Sequence, residues 1–343
     1  MSLRPLYGHD ALRRRLAQAV QAHRLPQALL FEGPKGIGKQ RLALWVSQTL
    51  LCQTRDAGEP CGRCRPCRLA LTLSHPDQHW FVPLEPPKKS ADADKQVDLV
   101  EAGLAEELAG RREQPLYPAP SGMATHSLAT VRLLLRRITL TPAMGQMKVF
   151  VVGDAERLTP QKGNPEAANA LLKVLEEPPA NAVIMLTAAD ADALPPTIVS
   201  RVVRIRMSAL QDSVVTAFVH SELPELLNVD RIVAQAGGSI GRVLALREAS
   251  ERPRDESWLG PTQLGGVERY AGALRQTPFQ ARGGFTDMLD ALLDRLRREA
   301  RSAQDPRRLV AAIALVLEAR DQAQGNVNPQ LLTAVLADDL AAR

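Results

Sequence analysis

The stretch Gly33-x4-Gly38-Lys39 restricts the fold of this 343-residue chain more than any other feature. It follows a short apolar run, Ala28-Leu29-Leu30-Phe31, and precedes a helical stretch from Leu42 to Leu51. Such a loop works only where a buried strand meets a helix. Its glycines let backbone N–H groups turn toward a phosphate, the helix N-terminus attracts the charge, and the lysine reaches the β and γ oxygens. Gly33, Gly36, Gly38 and Lys39 are therefore candidate nucleotide-binding residues. The strand needs a sheet covered by helices, so an α/β class is expected.

Downstream patterns agree. Leu12, Leu16 and Val20 recur at four-residue spacing, and a helix is expected from Leu128 to Ile138. Strands are expected at Lys148–Val152, Ala182–Thr187 and Val202–Ile205, with a helix from Glu166 to Leu175 between the first two. Alternating helices and strands buried on both faces predict a parallel sheet. Beyond Ala209 no strand pattern appears. Phe285, Met288, Leu289, Leu292 and Leu296 form one helical stripe, and Leu309, Ile313, Val316 and Leu317 another, so the C-terminal part reads as all-helical. Residues 83–126 hold six prolines and thirteen charges, with periodicity only around Val100, Leu104 and Leu108. That segment reads as an insertion or a mobile loop.

The phosphate loop is defective as a hydrolytic site. Gln40 stands where a Ser or Thr hydroxyl would bind Mg²⁺, and the strand ending at Val152 is followed by Gly153-Asp154 in place of an acidic pair. ATP binding stays open, whereas hydrolysis is not expected. A working ATPase survives as the alternative only if Asp154 takes over the metal after a one-residue shift.

All four cysteines fall in one stretch, Cys52-x8-Cys61-x2-Cys64-x2-Cys67. A disulfide framework would be spread through the chain and would need an oxidising compartment. Two-residue gaps let thiolates curl around one ion, and four sulfurs suit structural, tetrahedral Zn²⁺. An iron–sulfur cluster competes, but the C-x3-C-P continuation of a ferredoxin run is missing. Gly62 and Pro66 are expected to favour the tight turns between ligands. Arg63, Arg65 and Arg68 could make this module a DNA reader, but no base-reading helix accompanies them, and a solvated basic face explains them better. With 43 Lys+Arg against 38 Asp+Glu, the net charge of +5 permits a nucleic-acid partner without demanding one. No apolar run has membrane-spanning length and no secretory h-region opens the chain, so a cytoplasmic location is expected.

Two arginines stand out. Ser200-Arg201 follows Leu194-Pro195-Pro196-Thr197-Ile198-Val199 and precedes a strand. It is either a solvated charge or an arginine offered to another protein's phosphoryl-transfer site. Gly237-Gly238-Ser239-Ile240-Gly241-Arg242 opens a helical stretch, which either carries Arg242 toward the phosphate loop or is an ordinary capped helix.

In this order the pieces resemble the AAA+ clamp-loader family of bacterial DNA polymerase III over nearly the whole chain. The resemblance runs from Tyr7-Gly8-His9 and Leu25-Pro26-Gln27-Ala28 through the phosphate loop, the four-cysteine module and His75-Pro76-Asp77. Asn169-Ala170-Leu171-Leu172-Lys173-Val174-Leu175-Glu176-Glu177-Pro178-Pro179 is its most specific stretch, and Asn326-Val327-Asn328-Pro329-Gln330-Leu331-Leu332 its last. It implies an α/β P-loop domain over 1–207 with a zinc module at 52–67 and an insertion at 83–126. A small helical lid over 208–252 and an all-α collar over 253–343 would follow. It further implies a non-hydrolysing subunit, not an enzyme by itself, that joins motor subunits (γ/τ) and a δ subunit in a ring of five. That ring loads a sliding clamp on primed DNA, and any polymerase chemistry belongs to the complex. Arg201 matches the arginine lent in trans, Thr187 the sensor-1 position, Arg242 the sensor-2 position, and Cys52, Cys61, Cys64 and Cys67 the zinc ligands. The family's Ser-Arg-Cys element reads Ser200-Arg201-Val202 here. The alternative within the family is an ATP-hydrolysing motor subunit.

Overall fold

A computed structural model describes residues 3–85, 92–116, 124–159, 166–251, 303–323 and 327–342, together with scattered residues between 271 and 300. Phe285, Asn326 and nearly all of 253–287 lie outside the described residues, as do 86–91 and 117–123 of the expected insertion. The chain divides into two compact units, the first ending at Glu251 and the second made of the residues that follow.

In the first unit, helix α1 (Asp10–Gln21) leads to strand β1 (Ala28–Glu32), and the glycine loop passes directly into α2 (Lys39–Leu51). Helix α3 (Arg65–Leu71) and strand β2 (Gln78–Phe81) follow, then α4 (Ala93–Glu113), α5 (Leu128–Ile138) and β3 (Lys148–Val152). Next come α6 (Glu166–Glu176), β4 (Ala182–Ala188), the single turn α7 (Pro196–Val199) and β5 (Val203–Arg206). The five strands form one sheet in the order β2-β3-β4-β1-β5, and every pairing is parallel. β1, β3 and β4 are buried along their whole length, as continuous apolar strands in a covered sheet should be.

Three expectations are corrected. β5, Val-Arg-Ile-Arg, is not buried on both faces: it is an edge strand, exposed except at Ile205, and its alternation fits a half-solvated edge. The 83–126 segment is not simply a loop, because α4 spans 21 of its residues. Asp92 caps that helix by accepting from the Asp94 N–H at 2.9 Å, and Val97, Val100 and Leu104 enter the core. Pro66 opens the first turn of α3 instead of making a tight turn.

A second, smaller apolar cluster in this unit is built from α8 (Asp212–Glu222), α9 (Val229–Ala236) and α10 (Ile240–Glu251), centred on Val215, Phe218, Val219, Val233 and Val243. The second unit packs Met288, Leu289, Leu292 and Leu296 against Val316 and Ala319 of the helix Arg307–Gln322 and Leu336 and Leu340 of the helix Pro329–Ala341. Leu309 and Ile313 join that core, but Leu317 is 42% exposed and does not. Among the described residues, no helix is long and apolar enough to cross a membrane.

Candidate functional site

Parallel strands bring their C-terminal ends to one edge, where open α/β sheets hold ligands. In the register, Phe31 of β1 lies opposite Thr187 of β4, and Val152 of β3 opposite Leu186. The glycine loop, Gly153-Asp154 and Thr187 therefore share that edge. Gly33, Gly36 and Gly38 adopt φ of +150°, +75° and +97°, values that a side chain would strain. Lys39 is buried and donates from Nζ to the carbonyls of Gly33 (2.7 Å) and Pro34 (2.8 Å). Burial lowers its pKa, while Asp154 and Glu156 pull it up.

The remaining loop carbonyls also have partners. Ser239 Oγ donates to Lys35 O at 2.9 Å, the Gly241 N–H donates to Gly36 O at 2.9 Å, and His9 Nε2 pairs with Ile37 O at 2.8 Å. Arg242 lies one residue beyond this contact in the first turn of α10, its N–H bonded to Ser239 Oγ at 3.1 Å. Thr187 is fully buried and accepts from the Asp154 N–H at 3.0 Å. Glu156, which the sequence reading missed, places Oε1 on the Ala189 N–H at 3.2 Å, and burial raises its pKa.

The two sequence defects turn out to be one contact. Trp80 Nε1 donates to Gln40 Oε1 at 3.1 Å, and the Gln40 amide lies against Gly153. A Cβ on Gly153 would sit 2.5 Å from Oε1 and 2.6 Å from Cδ of Gln40, so a side chain there would displace the amide from its place beside Trp80. Neither residue offers a carboxylate or hydroxyl to a divalent cation, and the amide occupies the space a Gly153 replacement would need. The residues present do not fit Mg²⁺ in its usual place.

Glu32, the last residue of β1, is buried and accepts from Arg204 Nε (3.1 Å) and Nη2 (2.8 Å) and from Arg206 Nε (2.8 Å). Arg201 is not brought to the phosphate loop. It forms an ion pair with Glu176 at the end of α6 and donates from Nη1 to Thr197 O at 2.9 Å.

The cysteines converge as their spacing predicts. Cys52 ends α2, Gly62 takes φ +71°, Cys64 caps α3, and Cys67 is buried within it. The four Sγ atoms lie within 4.8 Å of one another, with Cys52–Cys64 at 3.9 Å and Cys61–Cys67 at 4.0 Å. A tetrahedron of Zn–S bonds places sulfurs about 3.8 Å apart, so the set fits a metal ion. Thr54 Oγ1 donates to Cys61 Sγ at 3.2 Å and the Cys64 N–H to the same sulfur at 3.3 Å; the hydroxyl, ahead of the backbone donors, draws the Cys61 thiol down to about 5. Burial pushes Cys52 and Cys67 up. Arg63, Arg65 and Arg68 are all exposed.

Fold and site together define a phosphate-loop α/β protein in which Gln40 meets Gly153 beside the loop and four cysteines converge in a cluster able to hold a metal ion. The family described as "DNA polymerase III, delta subunit" matches residues 8–211, and the chain belongs to that family. The chain is 35% identical over 177 residues to DNA polymerase III subunit delta' of Pseudomonas aeruginosa, a match spanning 52% of this chain and 42% of that one. It is 27% identical over 225 residues to subunit tau of Salmonella typhimurium, spanning 66% and 28% respectively. Subunit delta' of Escherichia coli is 29% identical over 187 residues, 54% of this chain and 44% of that one. These matches span less than half the length of each relative, and the likeness extends to both subunit types.

Proposed function

We propose that the chain is the δ′ subunit of a bacterial DNA polymerase III clamp loader, a non-hydrolysing stator that helps load the sliding clamp on primed DNA. The Gln40–Gly153 contact carries this reading: both cation positions have lost their ligands, and one side chain covers the other. Arg201 is the group it lends. Phosphoryl transfer develops negative charge that an arginine from a neighbour can stabilise, and Arg201 stands apart from its own chain's phosphate loop on a short turn before an edge strand. Residues 208–252 serve as the lid and residues 253–343 as the collar that joins γ/τ and δ neighbours. Zn²⁺ in the four-cysteine cluster is structural, since all four ligand positions come from the protein and none is left open for chemistry.

A hydrolysing motor subunit is the second reading, favoured by the tau-named relative that matches 66% of the chain. ATP turnover in a reconstituted loader, with this chain or its Arg201→Ala variant, separates the two. The stator reading expects no turnover by the isolated chain and about a thousandfold loss at the adjoining motor site in the variant. Mg²⁺-dependent turnover by the isolated chain, abolished by Asp154→Ala, would establish the motor reading instead.

A further inference from the structure

The segment between β2 and α5 has no role in the reading above, yet it reaches the phosphate loop by two routes. Its base is zipped: Leu84 and Thr125 exchange backbone hydrogen bonds at 3.0 and 2.8 Å, just beyond the end of β2. One residue later, buried His126 pairs through Nε2 with the Gly153 carbonyl at 2.6 Å, and its backbone N–H donates to Arg157 O at 3.1 Å. Arg157 Nη1 returns a hydrogen bond to Ala124 O at 2.7 Å. The end of the segment is thus bonded to the backbone of the residue that Gln40 covers.

The second route runs through α4. Arg111 is 3% exposed, and its guanidinium carbon lies 4.6 Å from the centroid of the Trp80 ring. Glu107, one turn earlier, accepts from Arg111 Nε at 2.8 Å and fixes the fork. A cation over an indole face in a dry setting is a strong orienting contact. The indole N–H is a donor only, so it settles which end of the Gln40 amide faces it: Oε1 meets Trp80. Arg111, Trp80, Gln40 and Gly153 are one unbroken series of contacts, and His126 closes it from the other side.

We propose that α4 and His126 are a lock on the phosphate loop: Arg111 acts through Trp80 to hold the Gln40 amide over Gly153, so the segment keeps a divalent cation out of the loop and the loop in one shape. Arg111, Trp80 and His126 are positioning residues in this scheme. The proposal deepens the non-hydrolysing reading and rests on it. Its test reads backbone exchange and stability instead of turnover, so either idea can fail alone.

The experiment is amide hydrogen exchange on the full chain, comparing wild type with Arg111→Met and Trp80→Phe. The second variant keeps an aromatic ring under Arg111 and removes the donor to Gln40, though with a smaller ring in a buried position. Both variants should exchange about tenfold faster over residues 33–41, with α8 unchanged. Thermal unfolding adds an independent arm: Gly153→Asp should be destabilised, because its side chain displaces the Gln40 amide from Trp80, and Gln40→Ser in the same chain should relieve the clash and restore part of the loss. Should Arg111→Met fail to fold, Trp80→Phe and the Gln40–Gly153 pair still decide. Unchanged exchange over 33–41 in folded Trp80→Phe, equal acceleration in α8, or Gly153→Asp that is tolerated or not rescued would each overturn the lock.

Discussion

Arg201 is tied to its own chain through Glu176, the last residue of α6, while Thr197 O takes a second hydrogen bond from the same guanidinium. The Glu176 side chain is half exposed, so solvent screens the pair and it contributes little to stability. A phosphate carrying more charge than one carboxylate can displace Glu176. Glu176→Ala should leave thermal unfolding of the isolated chain nearly unchanged, within about 1 kcal/mol. In the reconstituted loader it should reduce turnover far less than Arg201→Ala does. A loss equal to that of Arg201→Ala would show that the carboxylate is needed throughout the cycle.

The cysteine cluster predicts a ranking among its variants. Cys67 is fully buried on α3, whereas Cys61 sits at the surface with Thr54 beside it. The chain should bind one zinc per molecule, and Cys67→Ser should release it and lower the unfolding temperature more than Cys61→Ser. Thr54→Val keeps all four sulfurs and removes a single hydroxyl, so it should weaken zinc binding by about tenfold. Competition with a chromogenic chelator measures both.

Acid should weaken the fold through His126. Burial, more than any charge, pushes its pKa down to about 4, with the Gly153 carbonyl and Asp154 pulling upward and Arg157 downward. The unfolded chain then binds more protons than the folded chain between that value and the ordinary histidine range near 6.5. The stability contribution is complete above about pH 6.5, drains away toward pH 4 and is flat below, amounting to about 3 kcal/mol. Half-buried His79, pushed by desolvation to about 3, has the same sign. A wild-type against His126→Gln comparison isolates the first group, and the stability advantage of wild type should shrink between pH 7 and pH 4.5.

Two glycines offer opposite outcomes. A Cβ on Gly241 would lie 2.7 Å from Gly36 Cα, so Gly241→Ala should pry α10 from the phosphate loop at a cost of about 2 kcal/mol. Gly110, inside α4, has nothing within 4 Å of such a Cβ. Gly110→Ala should therefore stabilise the chain by about 0.5–1 kcal/mol through helix propensity. Urea unfolding of both variants checks the pair.

The parts of the fold written most plainly in the sequence are those where a local pattern meets a single environment. β1, β3 and β4 are apolar throughout because the sheet covers both their faces, and the four cysteines carry their geometry in their spacing. β2, Gln-His-Trp-Phe, escapes notice because its polar residues are sheltered by contacts remote in sequence, such as His79 stacked on Phe150 at 4.8 Å. α4 is masked by its charges, with only Val97, Val100, Leu104 and partly buried Leu108 to mark the face it buries. Gln40 and Gly153 read in sequence as two separate losses. Only the folded chain shows that they touch, because Trp80 and the sheet bring them together.

Glu32 by itself would make the phosphate edge negative. A buried carboxylate immediately before Gly33 would on its own repel any polyphosphate approaching the loop. Arg204 and Arg206, two residues apart on the neighbouring edge strand and thus on the same face, cancel that charge through three hydrogen bonds. What an incoming anion meets is then set by Lys39 and the loop amides, and β5 works as an electrostatic shield as much as a strand.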